Sequence, residues 1–137
     1  LATAALYHDA SEILTGDLPT PIKYHNAEIM SAYHAVEDLA VQKLLGMLPP
    51  ELRATYADVL AEDKGGDIYP LVKAADKLSA YIKCIEERKA GNNEFLSAEA
   101  QTRAALEASP LPEVQYFLEH FIPAFERDLD ELGAIGQ

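Results

Sequence analysis

The chain is expected to be all-α, a compact multi-helix fold. Three observations predict it. No segment alternates apolar and polar residues at the period of two that a half-buried strand requires. Apolar residues recur instead at spacings of three and four, as in Ile29, Tyr33, Val36, Ala40, Leu44 and Met47. Glycine and proline sit between such stretches, where they stop one helix and let the next begin.

Residues 1–14 read as a first helix. On a wheel of about 100° per residue, Ala2, Leu6, Ala10 and Ile13 make an apolar stripe. His8, Glu12 and Asp9 follow one another around the adjoining side, within an arc of roughly 100°. Gly16, Pro19 and Pro21 cannot continue this helix, so residues 15–24 read as a rigid turn. Asn26 is a good N-cap for the next helix, with His25 as a competing boundary, and Pro49-Pro50 ends that helix near residue 48. A shorter helix carrying Leu52, Tyr56, Val59 and Leu60 spans residues 51–62. Residues 63–67 read as a surface loop that lacks the Lys-Ser/Thr signature of a phosphate loop. Residues 68–89 form the next helix, with Pro70 in its first turn and Gly91 as its stop. Its stripe is Leu71, Ala75, Leu78, Ile82 and Ile85. Helices over residues 94–108 and 112–132 complete the chain, the last bent at Pro123.

The 137 residues suffice for one core, and residues 1–137 are expected to form a single domain. No apolar run is long enough to span a bilayer, so no membrane partner is expected. Cys84 stands alone, which excludes an internal disulfide framework and fits a reducing, cytoplasmic setting. The net charge of −12 argues against a nucleic-acid polymer as partner. A small anionic substrate remains compatible, because a bound divalent cation reverses the local sign.

The stretch from Tyr7 to Pro21 concentrates the chemistry. It holds one imidazole, the carboxylates of Asp9, Glu12 and Asp17, and a Gly/Pro turn. Asp9 falls at the edge of the apolar stripe, where an unpaired charge is costly to bury. A divalent cation would offset that cost, since carboxylate oxygen and imidazole nitrogen are its usual ligands. The same spacing also describes a solvated face with a His8–Glu12 pair at i,i+4.

The longer strings YHDASEILTGDLPTPIKY, LVKAADKLSAYIKCIEE and AGNNEF resemble the HD-domain 5′-deoxynucleotidases, metal-dependent members of the HD phosphohydrolase superfamily. The resemblance runs from about residue 1 to 95 and more loosely to the C-terminal helix. It implies the HD-domain helical fold, hydrolysis of deoxyribonucleoside 5′-monophosphates, a divalent cation such as Co²⁺ or Mn²⁺, and a homodimer. It implies His8, Asp9 and Asp76 as metal ligands, with Asp9 and Asp76 also facing substrate, and Glu12 as the acid/base. It matches Asp17, Leu18, Pro19 and Thr20 to the substrate loop, where Asp17 would accept from a sugar hydroxyl and Thr20 donate to a sugar or phosphate oxygen. Periodicity alone disagrees on Asp76, which falls roughly 140° from the centre of its helix's apolar stripe and reads as exposed beside Lys73.

The chain begins at Leu1 inside an apparent helix, and the family carries a further metal-binding His and a phosphate-orienting Arg upstream of the HD pair. A preceding segment is therefore expected. His25, His34 and His120 read as structural or surface residues, and Cys84 as a small core residue. Tyr116, Phe117, Phe121 and Phe125 read as core or dimer interface. Two other functions stay open at this level: an HD phosphohydrolase of another nucleotide class, such as a dNTP or a cyclic nucleotide, and a non-catalytic module that binds a nucleotide or partner chain.

Overall fold

The computed structural model describes residues 1–23, 25–61, 66–128 and 131, with the side chains of Thr20 and Pro21 outside that set. The described residues are helical, with no strand among them, as expected of an all-α chain. They fall into two compact units, Leu1–Val72 and Lys73–Gln137.

In the first unit, α1 (Ala2–Tyr7) and α2 (Glu12–Thr15) are separate, where one continuous helix was expected. Residues 10, 12, 13 and 14 bond back to the third preceding carbonyl, the tighter 3₁₀ pattern. The cause is local. His8 Nδ1 lies 2.7 Å from Ala5 O, the acceptor that an α-helix would assign to the Asp9 N–H. Gly16 then adopts φ +71°, and Ile22 and Lys23 both donate to Pro19 O, closing a short α3 (Thr20–Lys23) inside what was expected to be a plain turn.

Helix α4 (Ala27–Met47) starts where Asn26 Oδ1 accepts from the Ile29 N–H at 2.8 Å. Its end is held by Arg53, which donates to Leu48 O and Gly46 O from α5 (Pro50–Leu60). Helix α4 packs against α2, α3 and α5, and α1 against α5, where the Tyr7 and Tyr56 rings meet edge to face.

Both apolar stripes expected here are rotated. Leu6 and Ile13 are 77% exposed, while Ala4, His8, Ser11, Glu12 and Thr15 turn inward. On α4 the inward seam is Tyr33, Glu37, Ala40 and Leu44, so Glu37 holds the place expected for the exposed Val36. Glu37 tolerates that position because it is bonded to Lys23 and His34.

Helix α6 (Tyr69–Lys89) contributes its first turn to the first unit, with Val72 buried, and the rest to the second. The second unit's core joins Leu78, Tyr81 and Ile85 to Leu106 of α7 (Leu96–Glu107), Val114 of α8 (Pro112–His120) and Ile122 of α9 (Ile122–Glu126). Ala75, expected in the stripe of α6, is exposed, and Ala74 packs on the core instead. Gly91, at φ +86°, closes α6 with a Schellman motif: Asn92 N–H bonds to Glu87 O and Gly91 N–H to Arg88 O. The last expected helix is two, broken at Phe121 ahead of Pro123, which lacks the N–H to continue the ladder. Phe117 packs on the core, whereas Tyr116, Phe121 and Phe125 are exposed.

Candidate active site on the first unit

The contact with Ala5 O orients His8. With Nδ1–H donated to Ala5 O, the Nε2 lone pair is the one left to face outward from the ring. Nε2 lies 3.0 Å from Asp9 Oδ2. The imidazole is largely shielded, at 17% side-chain exposure, while the carboxylate is open to solvent at 55%. Donors about 2.1 Å from a cation in adjacent octahedral positions lie about 3.0 Å from each other. The pair therefore fits two neighbouring ligands of a divalent metal, and its oxygen and nitrogen donors suit the first-row ions. Among the described residues, no group of three or more His, Cys, Asp or Glu side chains gathers into a metal cluster.

Glu12 opens α2 one turn further on and is half-buried. Burial pushes its carboxyl above the ordinary value, and the Asp9 and Asp17 carboxylates push the same way. Lys23 opposes them, and Glu37 adds a further upward push. A carboxyl held this way keeps its proton further toward neutral pH, as a general acid must.

Asp17, Leu18 and Pro19 form the segment between Gly16 and α3, with Asp17 exposed and Leu18 half-buried. Thr20 is the first residue of α3, and its side chain lies outside the described residues. Asp76 is exposed on the part of α6 that belongs to the second unit.

A cavity of about 380 Å³ opens beside His8 in the first unit. Ala4, Val59 and Val72 line it together with Asp58, Asp67 and Tyr69. No motif or spacing singles out these last three. Asp58 becomes a neighbour of His8 because α1 packs on α5, a pairing that the periodicity of either helix alone does not encode, while Asp67 and Tyr69 come from the chain entering α6. Residues 62–65, most of the expected surface loop, lie outside the described set.

Comparison with known proteins addresses this same arrangement. The family described as 5′-deoxynucleotidase YfbR-like matches residues 1–125. The 5′-deoxynucleotidase YfbR of Shigella flexneri serotype 5b (strain 8401) is 53% identical over 134 residues, covering 97% of this chain and 67% of that protein. The 5′-deoxynucleotidase YfbR of Escherichia coli (strain K12 / DH10B) is 52% identical over the same shares. The match takes in both units and every residue singled out above, from His8 to Asp76. The chain belongs to the 5′-deoxynucleotidase YfbR-like family.

Proposed function

We propose that this protein is a 5′-deoxynucleotidase, a hydrolase that cleaves a deoxyribonucleoside 5′-monophosphate to deoxynucleoside and phosphate. The observation that carries the reading is the His8–Asp9 donor pair, 3.0 Å apart, within a chain that matches this family over residues 1–125. The same span, which crosses both units, supports reading residues 1–137 as one HD-type domain.

His8 Nε2 and the Asp9 carboxylate would hold a divalent cation, and the resemblance names Asp76 as a further ligand. The family suggests such a metal, and Co²⁺ or Mn²⁺ suits the donor set. When bound, the cation supplies charge neutralisation at the phosphoryl oxygens and eases ionisation of water. The remaining roles belong to side chains. Ala5 O fixes the His8 tautomer. Glu12 holds a proton in its protected carboxyl and delivers it to the departing 5′ oxygen. The resemblance also assigns Asp9 and Asp76 to substrate binding. Asp17 accepts from a sugar hydroxyl and Thr20 donates to a sugar or phosphate oxygen. Pro19 presets the backbone between them, beside Leu18, so little ordering entropy is lost on binding. The cavity beside His8 falls in the volume range of small-molecule sites.

No helix among the described residues is long and apolar enough to cross a membrane. We read the protein as a cytoplasmic homodimer, a reading supported by the exposed Tyr116 and Phe121 rings on α8 and at its end. Phosphate release from dAMP, AMP and dATP, measured side by side with added Co²⁺ or Mn²⁺, tests the assignment. dAMP is expected to be hydrolysed fastest, and activity on dATP equal to or above that on dAMP overturns it.

A further inference from the structure

The segment carrying Asp17 is tied to α4 at both ends. At its start, the Tyr33 hydroxyl donates to Gly16 O at 3.2 Å, and Thr15 Oγ1 donates to the same carbonyl at 3.0 Å. Gly16 takes φ +71° and ψ 160°, a conformation closed to other residues, so the chain turns there by necessity. At the far end, Lys23 Nζ donates to Glu37 Oε1 at 3.0 Å and stands 4.4 Å above the Tyr33 ring. The second Glu37 oxygen lies 2.8 Å from His34 Nδ1. Tyr33 thus contacts both ends of the segment, and Glu37 takes the inward seam position beside it.

Such an arrangement is stronger than a turn needs. Pro19 O already closes α3 through Ile22 and Lys23. A long lysine spent on a shielded carboxylate, over an aromatic face, loses rotamer freedom that an exposed turn would keep. Its effect is to fix the residues between the two ties, and Asp17 is the charged one among them. We infer that Tyr33, Lys23 and Glu37 are positioning residues of the reaction, clamping both ends of the 16–23 segment onto α4 so that Asp17 is held ready for the sugar of the nucleotide. This rests on the assignment of Asp17 to the sugar made above. The same cluster also reaches the acid: Lys23 lowers and Glu37 raises the Glu12 carboxyl, so the clamp and the proton donor share one electrostatic neighbourhood.

The test uses Tyr33→Phe, Lys23→Met and Lys23→Arg in the full chain, with two readouts. The first is kinetic. Tyr33→Phe and Lys23→Met are expected to raise KM for dAMP about tenfold, with kcat staying within about twofold in Tyr33→Phe. The inhibition constant of inorganic phosphate, which has no sugar, should stay within about twofold, and Lys23→Arg should restore KM. The second readout is the backbone ¹⁵N order parameter of Gly16, Asp17 and Leu18, expected to fall from about 0.85 to below about 0.6 in Tyr33→Phe and Lys23→Met. Order parameters that stay high overturn the clamp. A fall in order with dAMP and phosphate weakened equally, or with dAMP unaffected, overturns its role in sugar positioning. If the wild-type chain turns over no deoxynucleotide, the functional assignment fails first, and the order parameters still report separately whether the clamp exists.

Discussion

His8 is held at one nitrogen by Ala5 O and faced at the other by Asp9, and each contact has a separate consequence. Replacing His8 by Ala removes a proposed ligand, and metal content measured by elemental analysis should fall with an affinity loss of about 100-fold or more, activity following it. Glu12 offers a sharper pair of readouts. Its carboxyl is raised from 4.5, so its contribution to stability is complete below that value and is lost as pH rises through the higher folded value. Glu12→Gln cannot ionise and escapes that loss. The variant should melt above wild type at pH 7, with the gap closing toward pH 4, while kcat falls by about 10² to 10⁴. A variant that melts lower at pH 7 would place Glu12 in a stabilising role instead. At this scale the sequence set His8, Asp9 and Glu12 close together along one stretch, and His8 and Asp9 do meet at 3.0 Å. It was silent on Glu37, whose value comes from Lys23 and His34 across a helix pair, a relation that spacing along one helix does not contain.

Elements were legible where a stop or start depends on chemistry close in sequence. Asn26 caps α4 with its own side chain, Pro49 and Pro50 separate α4 from α5, and Gly91 ends α6 in a left-handed conformation. Elements were misread where a side chain from elsewhere decides. The α1–α2 break depends on the His8 ring taking a backbone acceptor, and the rotated α4 seam depends on partners for Glu37. Gly91→Ala tests the first kind. Nothing lies within 4 Å of an added Cβ, so only backbone strain opposes it, and denaturant melts should show a loss of about 1–2 kcal/mol. Glu37→Gln tests the second. Burial alone would raise the Glu37 carboxyl, but hydrogen bonds from His34 and Lys23 outweigh it and leave it below 4.5. A depressed carboxyl stabilises the fold above its unfolded value and loses that contribution as pH falls through the folded one. Wild type should therefore exceed the variant by about 1–2 kcal/mol at pH 7, with the difference shrinking as pH falls below 4.5 and through the lower folded value.

Over the whole molecule, the all-α class and the family were readable because they rest on periodicity and on strings shared along the chain. The charge of the chain was equally plain in the sequence, and it acts on every element at once. A net charge of −12 on 137 residues repels itself in the folded state more than in an expanded one. Ion pairs among the described residues oppose this locally, such as Arg88 with Glu99 at 3.0 Å and Glu126 at 2.7 Å, which tie α6 to α7 and α9 in the second unit. Raising ionic strength shortens the screening length from about 30 Å at 0.01 M to about 8 Å at 0.15 M. That change removes the long-range repulsion but leaves pairs in contact largely intact. The melting temperature should accordingly rise by a few degrees, on the order of 2–5 °C, between these two salt concentrations. A melting temperature that fell instead would mean that the local pairs, rather than the net charge, dominate the electrostatics of the fold.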